Sequence, residues 1–303
     1  MNKEVFVPLY LSNICHSRCS ICNLRKQNKE VIRISGDKNR LEEQFKILYD
    51  REHIKEICFL TGELMEGELR RENLNFVMFA IERAFQYGFE QVFFNIGSLT
   101  DEEIKTIYQR FPGEERLVLS LFQETYDKTL YQKIFGVYEP CNPKSNYNRR
   151  LSTPERWIRK GFRCVDLGIL LGLNNCFKQD LDELIKHATY LYNLGAIVYL
   201  SLPRIYMSGK IIPTVSDENF IQSIHILRQA CPWAKLIITT RESIAMIRKV
   251  FPYIDVVSPG SSDVMPYTWE GDISNDEKTS QFKVAEKRKR PAQVLKELGI
   301  CES

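Results

Sequence analysis

Long hydrophobic runs are absent from this sequence. The longest apolar stretches, such as VDLGILLGL, have the length of a β-strand. They are too short to cross a membrane, which takes about 20 apolar residues. The first residues, MNKEVFVPLY, also lack the extended apolar segment and the small-residue cleavage site of a secretory signal. We therefore predict a cytoplasmic protein with no membrane partner.

A strong excess of charge of one sign is absent as well. The chain has 42 Lys and Arg residues against 39 Asp and Glu residues, which gives a net charge of +3. A balance this close to neutral predicts that the protein has no nucleic-acid partner. Low-complexity linkers and clear internal repeats are also missing, and their absence favours a single globular domain over an array of modules.

Short runs rich in β-branched and aromatic residues recur along the chain. They are EVFVPLYL, KEICFLTG, QVFFNIG, RLVLSLFQE, CVDLGILLG, AIVYLSLPR, LIITTRE and DVVSPGS. Segments between them, such as NLNFVMFAIERAFQYG, have apolar residues at the three- and four-residue spacing of amphipathic helices. Eight strands alternating with helices predict an α/β fold, a (βα)8 TIM-type barrel with a parallel sheet. We expect one domain over residues 1–303, with a barrel core at 1–265 and a C-terminal extension at 266–303.

Three of the nine cysteines are clustered. Cys15, Cys19 and Cys22 form a C-x3-C-x2-C set on one short segment after the first predicted strand. Three thiolates at this spacing can bind three irons of a [4Fe–4S] cluster and leave the fourth iron open to a small molecule. A structural zinc site usually needs four ligands, and His16 in the same loop is poorly placed to be the fourth. The other cysteines stand singly, and those within strand runs are predicted to be core residues.

Polar residues follow several of the predicted strands. They are Glu63 after the second run, Glu124 at the end of the fourth, Arg204 after the sixth, Arg241 after the seventh and Ser258 in the eighth. The C-terminal ends of barrel strands meet at one mouth, where barrel enzymes carry their active sites. These side chains are therefore predicted to converge there, and their mixture of charges suits a zwitterionic ligand.

The cysteine motif, placed after an apolar strand, resembles the signature of the radical S-adenosylmethionine (SAM) superfamily. Further stretches resemble the ThiH/HydG/NosL group of that superfamily, which cleaves aromatic amino acids, and within it the tyrosine lyases of thiamine biosynthesis. These stretches are PLYLSNIC, FLTGE, FQETYDKTLY, RLSTPERWIRKGF, LGILLGL, SLPRI, TTRE, SPGSS and QFKVAEKRKRPAQVLKELG. They span nearly the whole chain in the order found in the group.

The resemblance implies two cofactors, a [4Fe–4S] cluster on the three clustered cysteines and SAM. Glu63 matches the residue that accepts hydrogen bonds from the SAM amino group. Glu124 matches a residue that contacts SAM near its ribose. Arg150 matches the arginine expected at the SAM carboxylate, where a planar guanidinium can bind two oxygens. Arg149 is adjacent and is an alternative partner.

The resemblance also implies a substrate site. Arg241 matches the arginine that holds the substrate carboxylate, and Ser258 falls at a matching position to bond the same group. Tyr10 matches a residue that lines the cavity near the substrate amino group, although it could equally be a core aromatic. Arg204 is a further polar residue at the mouth without an assigned role.

The activity implied is that of a radical SAM lyase. Reductive cleavage of SAM would be followed by fragmentation of tyrosine into 2-iminoacetate (dehydroglycine) and p-cresol. An electron donor of the flavodoxin or ferredoxin type and a thiazole-synthase-like partner are implied with it. The C-terminal sequence has only Cys301, and we expect no second cluster and no production of CO and cyanide. Alternatives are another radical SAM reaction, of the hydrogenase-maturase, biotin-synthase or mutase type, and a non-enzymatic iron–sulfur or zinc protein.

Overall fold

Eight parallel strands close into a barrel, in which each strand pairs with the next in sequence and β8 pairs with β1. The computed structural model describes residues 3–205, 215–239, 241–273, 276, 278–282 and 289–300. The strands are β1 (Glu4–Ser12), β2 (Glu56–Thr61), β3 (Gln91–Asn95), β4 (Leu117–Ser120), β5 (Cys164–Gly168), β6 (Ile197–Ser201), β7 (Lys235–Thr239) and β8 (Val256–Ser258). Every predicted strand run forms one of them, so the predicted (βα)8 barrel is confirmed.

Helices connect successive strands and surround the barrel. They are α1 (Lys38–Phe45), α2 (Glu68–Tyr87), α3 (Asp101–Arg110), α4 (Lys128–Phe135), α5 (Tyr147–Lys160), α6 (Phe177–Asn193), α7 (Asp217–Ala230), α8 (Ile244–Val250) and α9 (Pro291–Leu298). A π-helical segment, Lys46–Arg51, extends α1, and short 3-10 helices cover Pro143–Ser145 and Phe251–Tyr253. Within the described ranges, no helix is long and apolar enough to cross a membrane.

Polar side chains fix where several of these helices begin. Thr100 and Glu103 form a capping box at the start of α3, each side chain bonding the backbone N–H of the other. The Asp127 carboxylate accepts from the Leu130 backbone N–H at 2.9 Å and caps α4. These caps satisfy N–H groups that the helices themselves leave open.

An apolar layer fills the barrel at the N-terminal half of the strands. Each strand contributes one buried residue to it, in strand order Phe6, Cys58, Phe93, Val118, Cys164, Tyr199, Ile237 and Val256. Phe6 stacks on Phe93 with ring centroids 4.5 Å apart, and Phe93 meets Tyr199 edge to face. This layer closes the barrel at one end. It also confirms that Cys58 and Cys164 are core residues.

The interior becomes polar toward the C-terminal ends of the strands. The buried Asp166 carboxylate on β5 accepts hydrogen bonds from Ser120 on β4 at 2.7 Å and from Ser201 on β6 at 2.9 Å. Burial raises the pKa of Asp166 to about 7, against the usual 3.8, although both hydroxyls favour its ionised form. The open end of the barrel therefore has a polar lining, as a site for a charged ligand requires.

Candidate active site

The three clustered cysteines lie on the loop that leaves β1 at the open end of the barrel. The Cys15 Sγ atom is 3.6 Å from the backbone oxygen of Glu63, which follows β2. Cys19 is buried beside the rings of Tyr131 and Phe135, and its backbone oxygen accepts from the Cys22 N–H at 3.1 Å. The loop thus places its thiols against two neighbouring elements, β2 and α4.

Burial sets the protonation of two of these thiols. It raises the pKa of Cys19 well above its usual value, and it raises that of Cys22 to about 11. The Cys15 thiol adds to both shifts, because thiolates close together repel one another. Such thiols stay protonated near neutral pH unless a cation binds them, because a metal displaces the proton of a coordinating thiol. The donor set therefore fits a metal centre that supplies positive charge.

The described residues contain no group of three or more His, Cys, Asp or Glu side chains positioned to hold one metal ion. Three thiols on one loop can each bind a different iron of a [4Fe–4S] cluster and leave the fourth iron open. The chemistry of the three clustered thiols therefore fits such a cluster.

Gly62 allows the cysteine loop to approach β2 closely. A Cβ atom at this position would lie 2.1 Å from the backbone oxygen of Ile14 and 2.7 Å from the Cys15 Cβ atom. Any side chain would push the loop away, so glycine is required here. Beside it, the His16 N–H donates to the Glu63 backbone oxygen at 3.0 Å and fixes the register of the two segments.

A buried cluster of two carboxylates and two cations lies next to the loop. The Arg150 Nη1 atom donates to Glu63 Oε2 at 3.1 Å, and its Nη2 atom donates to Glu124 Oε1 at 3.4 Å. The Lys144 Nζ atom donates to the same Glu124 oxygen at 2.7 Å. Glu63, Glu124 and Arg150, which the resemblance assigns to SAM, are thus brought together, and their role at SAM stays a prediction.

Burial would raise the pKa of Glu124, but Lys144 and Arg150 hold it below its usual value. Burial and the charge of Arg150 would lower the pKa of Lys144, but the negative groups around it, Glu124 first, raise it. Glu124 and Lys144 are therefore both charged at neutral pH. Glu124 also has a backbone φ of 72°, in the left-handed region that a non-glycine residue rarely adopts. Strained backbone of this kind tends to occur at ligand sites.

The two adjacent arginines of α5 point in different directions. Arg150 is buried and faces the carboxylates of the cluster described above. Arg149 instead donates to Glu66 and, at 3.4 Å, to the backbone oxygen of Ser98. The geometry favours Arg150 over Arg149 at the predicted SAM site.

Lys144 was not predicted. It lies in the segment PCNPKSNYN, which reads as a loop and in which the structure forms the 3-10 helix Pro143–Ser145. Its ammonium lies 4.6 Å from the Phe135 ring centroid, and its charge acts on the Cys19 thiol. A single lysine in a loop carries no sequence signal of burial.

The predicted substrate residues lie at three strands of the same mouth. Tyr10 is buried on β1, and Ser258 is buried at the end of β8, where it pairs in register with Thr239. Arg241 follows β7 and donates to the Arg204 backbone oxygen at 3.3 Å. Its charge also acts on Glu124, so the residues predicted for substrate and for SAM share one electrostatic environment.

The Arg204 side chain is buried and paired with neighbouring acidic residues. Its guanidinium forms a buried ion pair with Glu242 through two nitrogens and also bonds the backbone oxygen of Val215 at 3.0 Å. A further ion pair, at 2.9 Å, joins it to Asp217 at the start of α7. Arg204 therefore ties the ends of β6 and β7 to α7.

Residues 278–282, which we call the strap, cross the barrel mouth. Their backbone oxygens accept from the cysteine-loop residues Asn13, Asn23 and Ile32. Gln281 contacts both Tyr10 and Cys22, and the Phe282 ring lies 3.9 Å from the Arg241 guanidinium. No motif or periodic pattern in the sequence predicts that this polar segment returns to the site.

No protein-family model matches the chain. The 2-iminoacetate synthase of Escherichia coli (strain K12) is 26% identical over 253 residues, covering 82% of this chain and 63% of its own length. The enzyme of the same name from Salmonella typhimurium is 25% identical over 247 residues, covering 78% of this chain and 60% of its own. The chain thus spans less than two thirds of the curated relatives it matches.

Solved structures share the fold. The FeFe-hydrogenase maturase HydG from Carboxydothermus hydrogenoformans superposes with a TM-score of 0.82 at 25% identity, over 98% of this chain and 66% of that one. Methylornithine synthase (PylB) superposes with a TM-score of 0.71 at 18% identity, over 99% of this chain and 82% of that one, and shows the fold alone. The predicted resemblance is therefore confirmed: the chain resembles the radical SAM enzymes of the group that contains 2-iminoacetate synthase and HydG.

Proposed function

We propose that this protein is a radical SAM lyase that fragments an aromatic amino acid, with tyrosine as the substrate and 2-iminoacetate and p-cresol as products. One observation carries the proposal. The Cys15 thiol lies against the backbone of Glu63, whose carboxylate is joined to Arg150 in a buried, charged cluster. A cluster-binding loop and a receptor for a zwitterion are thereby adjacent, as binding SAM through an open iron requires.

The residues of the chain would bind and orient the two small molecules. When bound, the [4Fe–4S] cluster and SAM supply the one-electron cleavage that gives a 5′-deoxyadenosyl radical. Glu63 would accept from the SAM amino group and Arg150 would donate to its carboxylate, through charge-assisted hydrogen bonds. Glu124, held in place by Lys144, would contact the SAM ribose.

Arg241 and Ser258 would hold the substrate carboxylate, and Tyr10 would line the cavity near the amino group. Anchoring one end of the amino acid fixes the distance from its nitrogen to the SAM carbon. Such positioning accounts for much of an enzyme's rate, and a displacement near 1 Å can cost about 100-fold. The apolar layer below and the strap above would limit the access of water to the reacting groups.

We propose a flavodoxin or ferredoxin as the electron donor and a thiazole-synthase-like protein as the acceptor of 2-iminoacetate. The cysteine loop supports the first of these partners. Arg18 and Lys26 are exposed on it. An acidic redox protein would be attracted to this face.

The test is anaerobic turnover of the reconstituted protein with SAM, a reductant and each aromatic amino acid, followed by mass spectrometry. We expect 5′-deoxyadenosine, p-cresol and 2-iminoacetate with tyrosine. Formation of 5′-deoxyadenosine without stimulation by any aromatic amino acid would reject the substrate and retain the SAM chemistry. Cys141→Ser, a change at an exposed cysteine, serves as the control for Cys15→Ser, which should abolish all three products.

A further inference from the structure

The side-chain amide of Gln281 lies between Tyr10 and Cys22. Its Nε2 atom is 3.9 Å from the Cys22 Sγ atom, and its Oε1 atom accepts a hydrogen bond from the Tyr10 hydroxyl. Its own backbone is fixed, since the Asn23 N–H donates to the Gln281 oxygen at 3.2 Å. The neighbouring Ser280 oxygen accepts from the Asn23 side chain at 2.8 Å.

The orientation of this amide follows from its partners. The Tyr10 hydroxyl donates to the oxygen end, so the nitrogen end, which can only donate, faces the sulfur. Both neighbours of the amide belong to the proposed site, one to the substrate cavity and one to the cysteine loop. Among the residues that the structure describes, Gln281 has a side chain that contacts both Tyr10 and Cys22.

A donor aimed at a ligand sulfur has a definite effect on a cluster. Reduction adds an electron, and part of the added negative charge resides on the sulfurs. Hydrogen bonds to these sulfurs stabilise the reduced form and raise the reduction potential. An amide donor is neutral, so it exerts this effect without adding a charge to the site.

We propose that Gln281 sets the reduction potential of the cluster through a hydrogen bond to the Cys22 sulfur, and that Tyr10 orients it. This role rests on the proposed function only in that Cys22 binds the cluster. Gln281 is thus a positioning residue of the strap, and it links the substrate cavity to the redox centre. A substrate that rearranges Tyr10 would change how readily the cluster accepts an electron.

The experiment is a potentiometric titration of the reconstituted holoenzyme, followed by electron paramagnetic resonance of the reduced cluster. Gln281→Leu removes the donor, and we expect a more negative midpoint potential, with reduction about fivefold less favourable. Gln281→Met is similar in length, lacks the donor and adds no charge, so it should shift the potential in the same direction. Tyr10→Phe should give a smaller shift, and combining it with Gln281→Leu should add little.

Ser280→Ala is the matched control, because its hydroxyl bonds Asp263 rather than the cysteine loop. It should keep the wild-type potential, and a shift as large as that of Gln281→Leu would overturn the proposal by showing an effect of strap folding. Unchanged potentials in both Gln281 variants with full iron and sulfide content would also overturn it. If Gln281→Leu fails to retain the cluster, the midpoint potential of Gln281→Met is used to test the proposal. If the reconstituted wild-type protein contains no iron and no labile sulfide, both the proposed function and this role of Gln281 are rejected.

Discussion

The Arg150 guanidinium reaches the Glu63 carboxylate at 3.1 Å, although 87 residues of chain separate the two. Both side chains are buried, so each charge depends on the other for the favourable interactions that water would otherwise provide. The pair joins α5 to the loop after β2 and stands beside the cysteine loop. It is the part of the site for which a substitution should have the clearest consequence.

Arg150→Ala should weaken SAM binding at least tenfold and lower the free energy of unfolding by about 3 kcal/mol, because it leaves the buried Glu63 carboxylate without its cation. Calorimetric titration of SAM into the reconstituted protein and urea unfolding measure the two effects. Arg149→Ala is the control and should change SAM affinity less than about twofold. If Arg150→Ala does not fold, SAM affinity is measured in Arg150→Lys, which keeps the positive charge but lacks the planar guanidinium with its several N–H donors. Wild-type SAM affinity in that variant would contradict the assignment.

Asp166→Asn should stabilise the protein more strongly as the pH rises. The folded chain raises the pKa of this carboxyl from 3.8 to about 7, so the folded state binds its proton more tightly than the unfolded state. That contribution to stability is complete below pH 3.8 and is lost as the pH rises to about 7. Because Asn cannot ionise, the Asp166→Asn protein does not lose this stability as the pH rises.

Urea unfolding at pH 5 and pH 8 measures this effect. The stability difference between Asp166→Asn and wild type should grow by about 3 kcal/mol between these two pH values. Asp182→Asn, at an exposed position on α6, is the control for the Asp-to-Asn change itself. A pH-independent difference for Asp166→Asn would show that its carboxyl titrates normally in the folded chain.

Phe282→Leu should raise the KM for the amino acid roughly threefold to tenfold and change kcat less. The ring lies 3.9 Å from the Arg241 guanidinium, and loss of a partly buried cation–π contact costs about 0.5–2 kcal/mol of positioning. Phe282→Tyr retains an aromatic face and should keep the wild-type KM. Steady-state kinetics with tyrosine separates the two constants. A lower melting temperature at an unchanged KM would indicate that the ring has only a structural role.

Arg18→Glu and Lys26→Glu should slow reduction by a protein electron donor several-fold and leave reduction by dithionite unchanged. The expected cause is the loss of attraction between this exposed face and an acidic partner, and added salt should reduce the difference. Stopped-flow absorbance follows both reactions. Lys249→Glu, at the C-terminal end of α8 and exposed, is the control. Equal slowing with dithionite would place the effect on the cluster rather than on docking.

The strands and the cysteine loop were predictable because their signals are local. Each strand is a short apolar run, and the three cysteines lie within eight residues of one another. Arg150 could also have been distinguished from Arg149. It lies on the buried face of α5 with Thr153, Pro154 and Trp157, at helical spacings of three, four and seven.

Lys144 and the strap could not be predicted in the same way. Lys144 acquires its role from Glu124, 20 residues earlier in the chain, and Gln281 from Tyr10, 271 residues earlier. Neither segment has a periodic pattern, and contacts between loops are not encoded in nearby sequence. The reversal of polarity inside the barrel, from the apolar layer to Asp166, likewise depends on closure of the whole sheet.

The apolar layer at the bottom of the barrel determines the direction from which a ligand approaches. Every strand contributes a buried side chain to it, so the described part of the barrel interior is filled at the N-terminal end of the strands. A small molecule that binds Glu63, Glu124 and Arg150 is therefore expected to approach from the end of the barrel that carries the cysteine loop.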